Sequence, residues 1–144
     1  MGKSVERIAG NPQVMVAEEA TAGAANAFYI GDIVMTDGSG ELIIATTGLN
    51  WGIAKRAATG TASTKIPVEL ISSSNLYVMK YHTDATSEAL IGDTLGITYT
   101  LDGHTLDEAA GSDVECVGLD TRDGAVASGR LVVRFLETAI VGLR

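Results

Sequence analysis

An all-β domain, built as a small barrel or a sandwich, is the fold class that the sequence predicts, and three observations predict it. From Phe28 onward, short runs rich in Val, Ile, Thr and Tyr recur, each bounded by Gly, Asp, Asn or Ser, at spacings typical of sandwiches and barrels. Seventeen glycines punctuate these runs, because many tight turns need a positive φ that only Gly reaches without steric cost. Helical signals are scarce. The best start is "HTLDEAAG", where Thr105 and Glu108 fit a capping box and Gly111 a stop, and Ser87 to Ile91 is a second short candidate, so the chain is expected to hold short helical turns at most.

The elements follow in order. Residues 1–26 read as an extended arm: they carry Gly10-Asn11-Pro12, an Ala/Gly-rich run "ATAGAANA" at 20–27, and two short apolar pieces around Val5 and Ile8 and around Val14, Met15 and Val16. With so little apolar surface the arm is expected to order against a partner, lending a strand to an exposed sheet edge with Val14 and Val16 in pockets. The alternative is that "QVMVA" is an ordinary first strand. Residues 27–144 form the barrel-like domain, with strands near 29–36, 41–46, 51–57, 66–71, 75–81, 95–101, 114–119 and 130–137. In "ITYTL" the alternation is clean: Ile97, Tyr99 and Leu101 point one way and Thr98 and Thr100 the other. The last strand repeats it, with Leu131, Val133 and Phe135 inward and Arg130 and Arg134 outward. "GDIV" at 31 and "GDTL" at 92 each open a strand after a Gly-Asp turn, which points to two related halves of one barrel.

Composition narrows the partners. A chain of 144 residues with 46% hydrophobic content can bury one sizeable core and is too short for two ordinary domains. Its net charge of −8 and pI near 4.6 would repel a phosphate backbone or an anionic membrane. Direct nucleic-acid and membrane partners are therefore not expected. The single cysteine, Cys116, sits in a strand-like Val-Glu-Cys-Val setting and reads as a buried structural thiol. The opening MGKSVERIAGNP lacks the apolar run of a secretion signal, no stretch approaches a spanning helix, and position 6 lacks the Ser or Thr of a myristoylation pattern, so the protein is expected to be made and kept soluble.

The search for chemistry finds no catalytic, cofactor-binding or metal-ligating set. Gly38-Ser39-Gly40 lacks the third glycine of a dinucleotide loop, and no helix follows it. "ATGTASTK" at 58–65 has neither the spacing nor the Lys-Ser/Thr order of a phosphate loop and reads as a solvated loop. The turn Asp37-Gly38-Ser39-Gly40-Glu41 lacks the alternating carboxylates of a calcium loop, and a hairpin explains it. His82 lies beside Asp84, and His104 beside Asp102 and Asp107, so either could form a base-and-orienter pair. Without a metal-ligand spacing, both read as residues of polar turns at strand ends. No serine stands in a Gly-x-Ser-x-Gly elbow. Trp51, the lone tryptophan, is either an interface anchor or half-buried core.

A resemblance adds a function. The run "FYIGDIVMTDGSGELIIATTGLNWGIAKRAATG" is similar to the first half of tailed-phage head decoration (capsid cement) proteins, in which a Gly-Asp-hydrophobic-Val start, a Gly-rich turn, a strand and Gly-Ile-Ala follow one another. The ending "DVECVGLDTRDGAVASGRLVVRFLETA" resembles their close. The likeness spans most of residues 28 to 137 and implies a compact β-tulip or sandwich-like barrel. It also implies a homotrimer on the outer surface of the head, made in the host cytoplasm, whose arm (Val5, Ile8, Val14, Met15, Val16) reaches the major capsid protein. Such a structural virion protein needs no catalysis and no cofactor, since a clamp works by shape and by pairing with its neighbour.

Competing classes make different demands. A small OB-like binder would interleave basic and aromatic residues, as Tyr77, Met79, Lys80 and Tyr81 do in fragment. A carrier-type β domain needs a lysine at a tight turn, which Lys55, Lys65 and Lys80 do not provide. A glycosidase needs facing carboxylates, and nothing singles out a pair among the 18 acids.

Overall fold

The computed structural model describes residues 5–20, 27–46, 50–83, 85–100, 103–122 and 129–140. The Ala/Gly run at 21–26, Asp84 and Asp102 lie outside the described residues. The strands are β1 (Val5–Ala9), β2 (Val14–Glu18), β3 (Ile33–Thr36), β4 (Leu42–Ile44), β5 (Gly52–Ala54), β6 (Lys65–Leu70), β7 (Leu76–Lys80), β8 (Thr94–Thr100), β9 (Gly103–Asp107), β10 (Val114–Leu119) and β11 (Arg130–Phe135). Described helix is limited to single 3-10 turns at Glu88–Leu90, Glu108–Ala110 and Glu137–Ala139. The strands form two antiparallel sheets, in the orders β1-β7-β11-β10-β8-β9 and β2-β6-β5-β3-β4. The molecule is sandwich-like, with no closed barrel.

The two orders are the same order used twice. Adding five to each strand number turns β2-β6-β5-β3-β4 into β7-β11-β10-β8-β9, and β1 is the one extra strand, laid on the outer edge of β7. Hydrogen bonds repeat with the strands. Gly31 N–H donates to Ala54 C=O and Ala54 N–H to Asp32 C=O; in the second unit Gly92 N–H donates to Cys116 C=O and Cys116 N–H to Asp93 C=O. Trp51 N–H bonds Val34 as Asp113 N–H bonds Leu95, and Ile71 N–H bonds Trp51 as Leu136 N–H bonds Asp113. Each sheet also curls, so that the chain leaving β2 bridges β4 and the chain leaving β7 bridges β9, the last strand of each order: Glu19 to Leu42 in one, Tyr81 to Leu106 in the other.

Burial shows why two such units hold together. Phe28, Val34, Leu42, Ile44, Ala54, Ile66 and Val68 pack inside the first unit. The larger cluster joins Tyr77, Leu95, Leu106, Leu131 and Phe135 of the second unit to Ile33, Ala45, Ile53 and Ile71 of the first. Each buried aliphatic or aromatic side chain contributes about 1.5–3 kcal/mol, so neither unit keeps its full core alone. Cys116 is free and fully buried in this shared cluster.

Three expectations are corrected. Residues 5–9 and 14–18 are strands of the two sheets rather than a separate extended arm, because Val5, 2% exposed, is part of the shared core. Moreover, β1 straps both units: Val5 N–H donates to Gly31 C=O, Arg7 Nε meets Glu69 Oε2 at 3.2 Å and Glu6 meets Arg122 at 3.3 Å. The stretch from His104 is strand rather than helix, with the Thr105 hydroxyl 3.0 Å from that of Thr98 across the β8–β9 pair. Asp107 supplies the cap instead, accepting from Ala109 N–H, and Gly111 at φ 114° ends the turn. The halves suggested by "GDIV" and "GDTL" are two curled sheets rather than parts of one barrel.

Candidate interaction surfaces

The repeated Gly-Asp turns are the first feature the duplication builds. Asp32 N–H donates to Tyr29 C=O and Asp93 N–H to Leu90 C=O, both at 3.0 Å. Gly31 and Gly92 take φ of 92° and 93°, which a type II turn requires at its third position. Ile91 at φ −65°, ψ 125° fits the second position. That position points away from the sheet, and Ile30 and Ile91 are 49% and 47% exposed. The same apolar tip is thus offered once by each unit.

Strand β2 is the second feature. Among the described residues it pairs only with β6, through Val14↔Glu69, Met15↔Val68, Val16↔Pro67, Ala17↔Ile66 and Glu18↔Lys65. Val14, Met15 and Val16 are 55%, 52% and 59% exposed. Their counterparts in the second unit, Leu76, Tyr77 and Val78, are covered by β1, and Tyr77 and Val78 have no exposed surface. Of the residues assigned to the arm, the structure leaves Val14, Met15 and Val16 open, half-buries Ile8 and buries Val5. Val5 cannot touch a partner without leaving the core.

Trp51 is half-buried. It packs against the first unit's core cluster and lines a groove of about 490 Å³ with Asn11, Gln13, Ile71, Ser72 and Asn75. Core and surface roles therefore meet in one ring.

The histidines part ways. His104 is 1% exposed in β9; its Nδ1 accepts from Ile33 N–H at 3.3 Å and its Nε2 donates to Ala45 C=O at 2.8 Å. It is a buried tie between the units rather than a turn residue. His82 is exposed at the end of β7, with Nε2 3.6 Å from Glu108 and 3.9 Å from Asp107. Sequence adjacency pairs it with Asp84, which lies outside the described residues, and folding β9 beside it brings Asp107 and Glu108. The ligand atoms of His82, Asp107 and Glu108 lie within 4.8 Å of one another, a spacing that a divalent cation could bridge. Protein donors already use both acids: Asp107 accepts from Ala109 N–H and Glu108 from the Tyr81 hydroxyl at 2.6 Å. Burial and the Glu108 carboxylate push the Tyr81 hydroxyl up to about 12, while that hydrogen bond holds Glu108 below the usual carboxylate range.

The loop at 58–65 does cradle an anion, but one of the protein's own. Thr59 N–H, Gly60 N–H and the Thr59 hydroxyl all donate to the Glu19 carboxylate. Burial pushes Glu19 up, and these bonds outweigh it and hold the group low. In the hairpin, Asp37 Oδ1 accepts from Ser39 and Glu41 N–H, so the Gly-Ser-Gly turn needs no metal to close.

Comparison with protein-family models, curated proteins and solved structures gives no match for this chain. Any function must therefore be argued from the residues themselves.

Proposed function

We propose that this chain is a structural virion protein that decorates the outer surface of a tailed-phage head, as a homotrimer, and stabilises it by bridging major capsid protein subunits. The observation that carries the reading is the duplication: one molecule presents the Tyr29–Asp32 and Leu90–Asp93 turns with the same exposed isoleucine. A protein that offers one contact twice matches a surface that repeats, and a shell of identical subunits is such a surface. Linking two weak contacts makes the second intramolecular, so bridging gains avidity of about 10²–10⁴ over either alone. Binding only the assembled shell then stabilises it by mass action. The net charge of −8 suits an outward position away from packaged nucleic acid.

The test is co-sedimentation of the full chain with emptied heads. Ile30→Asp or Ile91→Asp alone should weaken binding at least tenfold, and the double variant should stay in the supernatant. Undiminished binding of the double variant would remove these turns as the contacts. Failure of the parent chain to pellet would remove the reading.

A further inference from the structure

Among the described residues, strand β2 has an open edge whose twin in the second unit is closed. Leu70 N–H donates to Gln13 C=O and Glu19 N–H to Thr64 C=O. In an antiparallel ladder the main chain alternates in the side it serves, so the odd-numbered residues of β2 bond β6. Val14, Val16 and Glu18 consequently turn their N–H and C=O groups outward. On β7 the same edge is taken by β1, antiparallel, through Val5↔Met79, Glu6↔Val78 and Arg7↔Tyr77. The molecule itself therefore shows what fits such an edge: one antiparallel strand, under which the residues matching Met15 and Val16 become fully buried. An edge with three consecutive exposed large apolar residues is a template for pairing.

We infer that this edge is filled by β2 of a second copy of the chain, paired antiparallel about a two-fold axis at Met15. Three features of the segment favour a copy of itself. Residues 10–17, Gly-Asn-Pro-Gln-Val-Met-Val-Ala, carry no charge, so two chains of net charge −8 meet here without like charges facing. In the register centred on Met15, Val14 and Val16 of one copy lie opposite Val16 and Val14 of the other, and these are the residues with outward N–H and C=O groups. Their two pairs exchange about four main-chain hydrogen bonds, and Met15 faces Met15 as the close, non-hydrogen-bonded pair between them. Glu18 falls opposite Pro12, so no carboxylate meets another. One strand pair is a small interface, its two-fold axis makes it a contact separate from those within the proposed trimer, and the association is concentration-dependent.

The test uses the free full chain, so its outcome does not depend on the head-binding reading. In the Met15 register the two Met15 Cα atoms lie about 4.5 Å apart, within disulfide range. Met15→Cys should give a covalent dimer on a non-reducing gel under mild oxidation. Glu18→Cys should not, because its copies lie roughly 20 Å apart at about 3.4 Å per residue. Cys116 is buried and its thiol is pushed up by that burial, so it does not compete. Val16→Pro removes an outward donor and no bond to β6, and should halve the mass that light scattering gives for the parent at high concentration. A Met15→Cys protein that stays single, Glu18→Cys dimers of equal yield, or an unchanged mass for a folded Val16→Pro would each overturn the pairing. If copies never pair and Val16→Pro instead abolishes co-sedimentation with heads, the edge belongs to a capsid strand and the inference fails.

Discussion

Replacing His104 with leucine should be among the most damaging single changes in the molecule, although nothing near it is reactive. The imidazole is 1% exposed and both nitrogens are engaged, Nδ1 with Ile33 N–H and Nε2 with Ala45 C=O. Leucine fills a similar volume but bonds neither group. Each stranded partner costs about 1–3 kcal/mol, so the pair should cost about 4 kcal/mol. For a chain of this length that lowers the Tm by roughly 8–16 °C. Urea unfolding followed by Trp51 fluorescence measures it, with His82→Leu as the exposed control, expected to stay within about 0.5 kcal/mol. His104→Gln should fall between them, since an amide can both donate and accept. A loss below about 1 kcal/mol for His104→Leu would refute the claim that this side chain ties the units together.

Other outcomes follow from the same geometry. Because hydrogen bonds hold Glu19 below its unfolded range, the unfolded state binds more protons between the two pKa values, so stability should be full above about pH 5 and fall as pH drops through the folded pKa. Glu19→Gln should flatten that acid limb in urea midpoints taken across it. Gly96→Ala would place a Cβ 2.3 Å from the main-chain carbon of Ala110, whereas Gly118→Ala meets nothing within 4 Å. The first should cost about 1–3 kcal/mol in thermal unfolding and the second far less. Removing β1 should uncover Tyr77, Val78 and Met79 on β7 and yield a protein that melts far lower or aggregates on light scattering, while Val14→Ser in the open β2 should leave the Tm nearly unchanged.

Much of the fold was legible because alternation in a half-buried strand shows in the letters. The strand at 114–119 falls where the sequence puts it, and the 130–137 expectation is trimmed only to Phe135. Strand β9 was hidden because Thr105 opens a capping-box pattern with Glu108, and pairing with β8 makes His104 and Thr105 strand, a tertiary preference that overrides local propensity. The duplication was faint for a similar reason. Paired positions have diverged to Trp51 and Asp113, Ile53 and Glu115, or Ala54 and Cys116; what persists is main-chain hydrogen bonding, which letters do not record. The Gly-Asp turns kept their residues, since positive φ at Gly31 and Gly92 restricts the choice. Val5 and Val14 look alike in sequence, yet one is core and the other open. That difference follows from which edge each strand meets.

On the proposed function, each copy bridges two capsid subunits from outside the shell. A density map of heads saturated with the chain decides it. The expected result is added density on the outer surface, with the Tyr29–Asp32 and Leu90–Asp93 turns seated on equivalent sites of two neighbouring subunits. Heads that gain no density, or copies that each touch a single subunit, would contradict it.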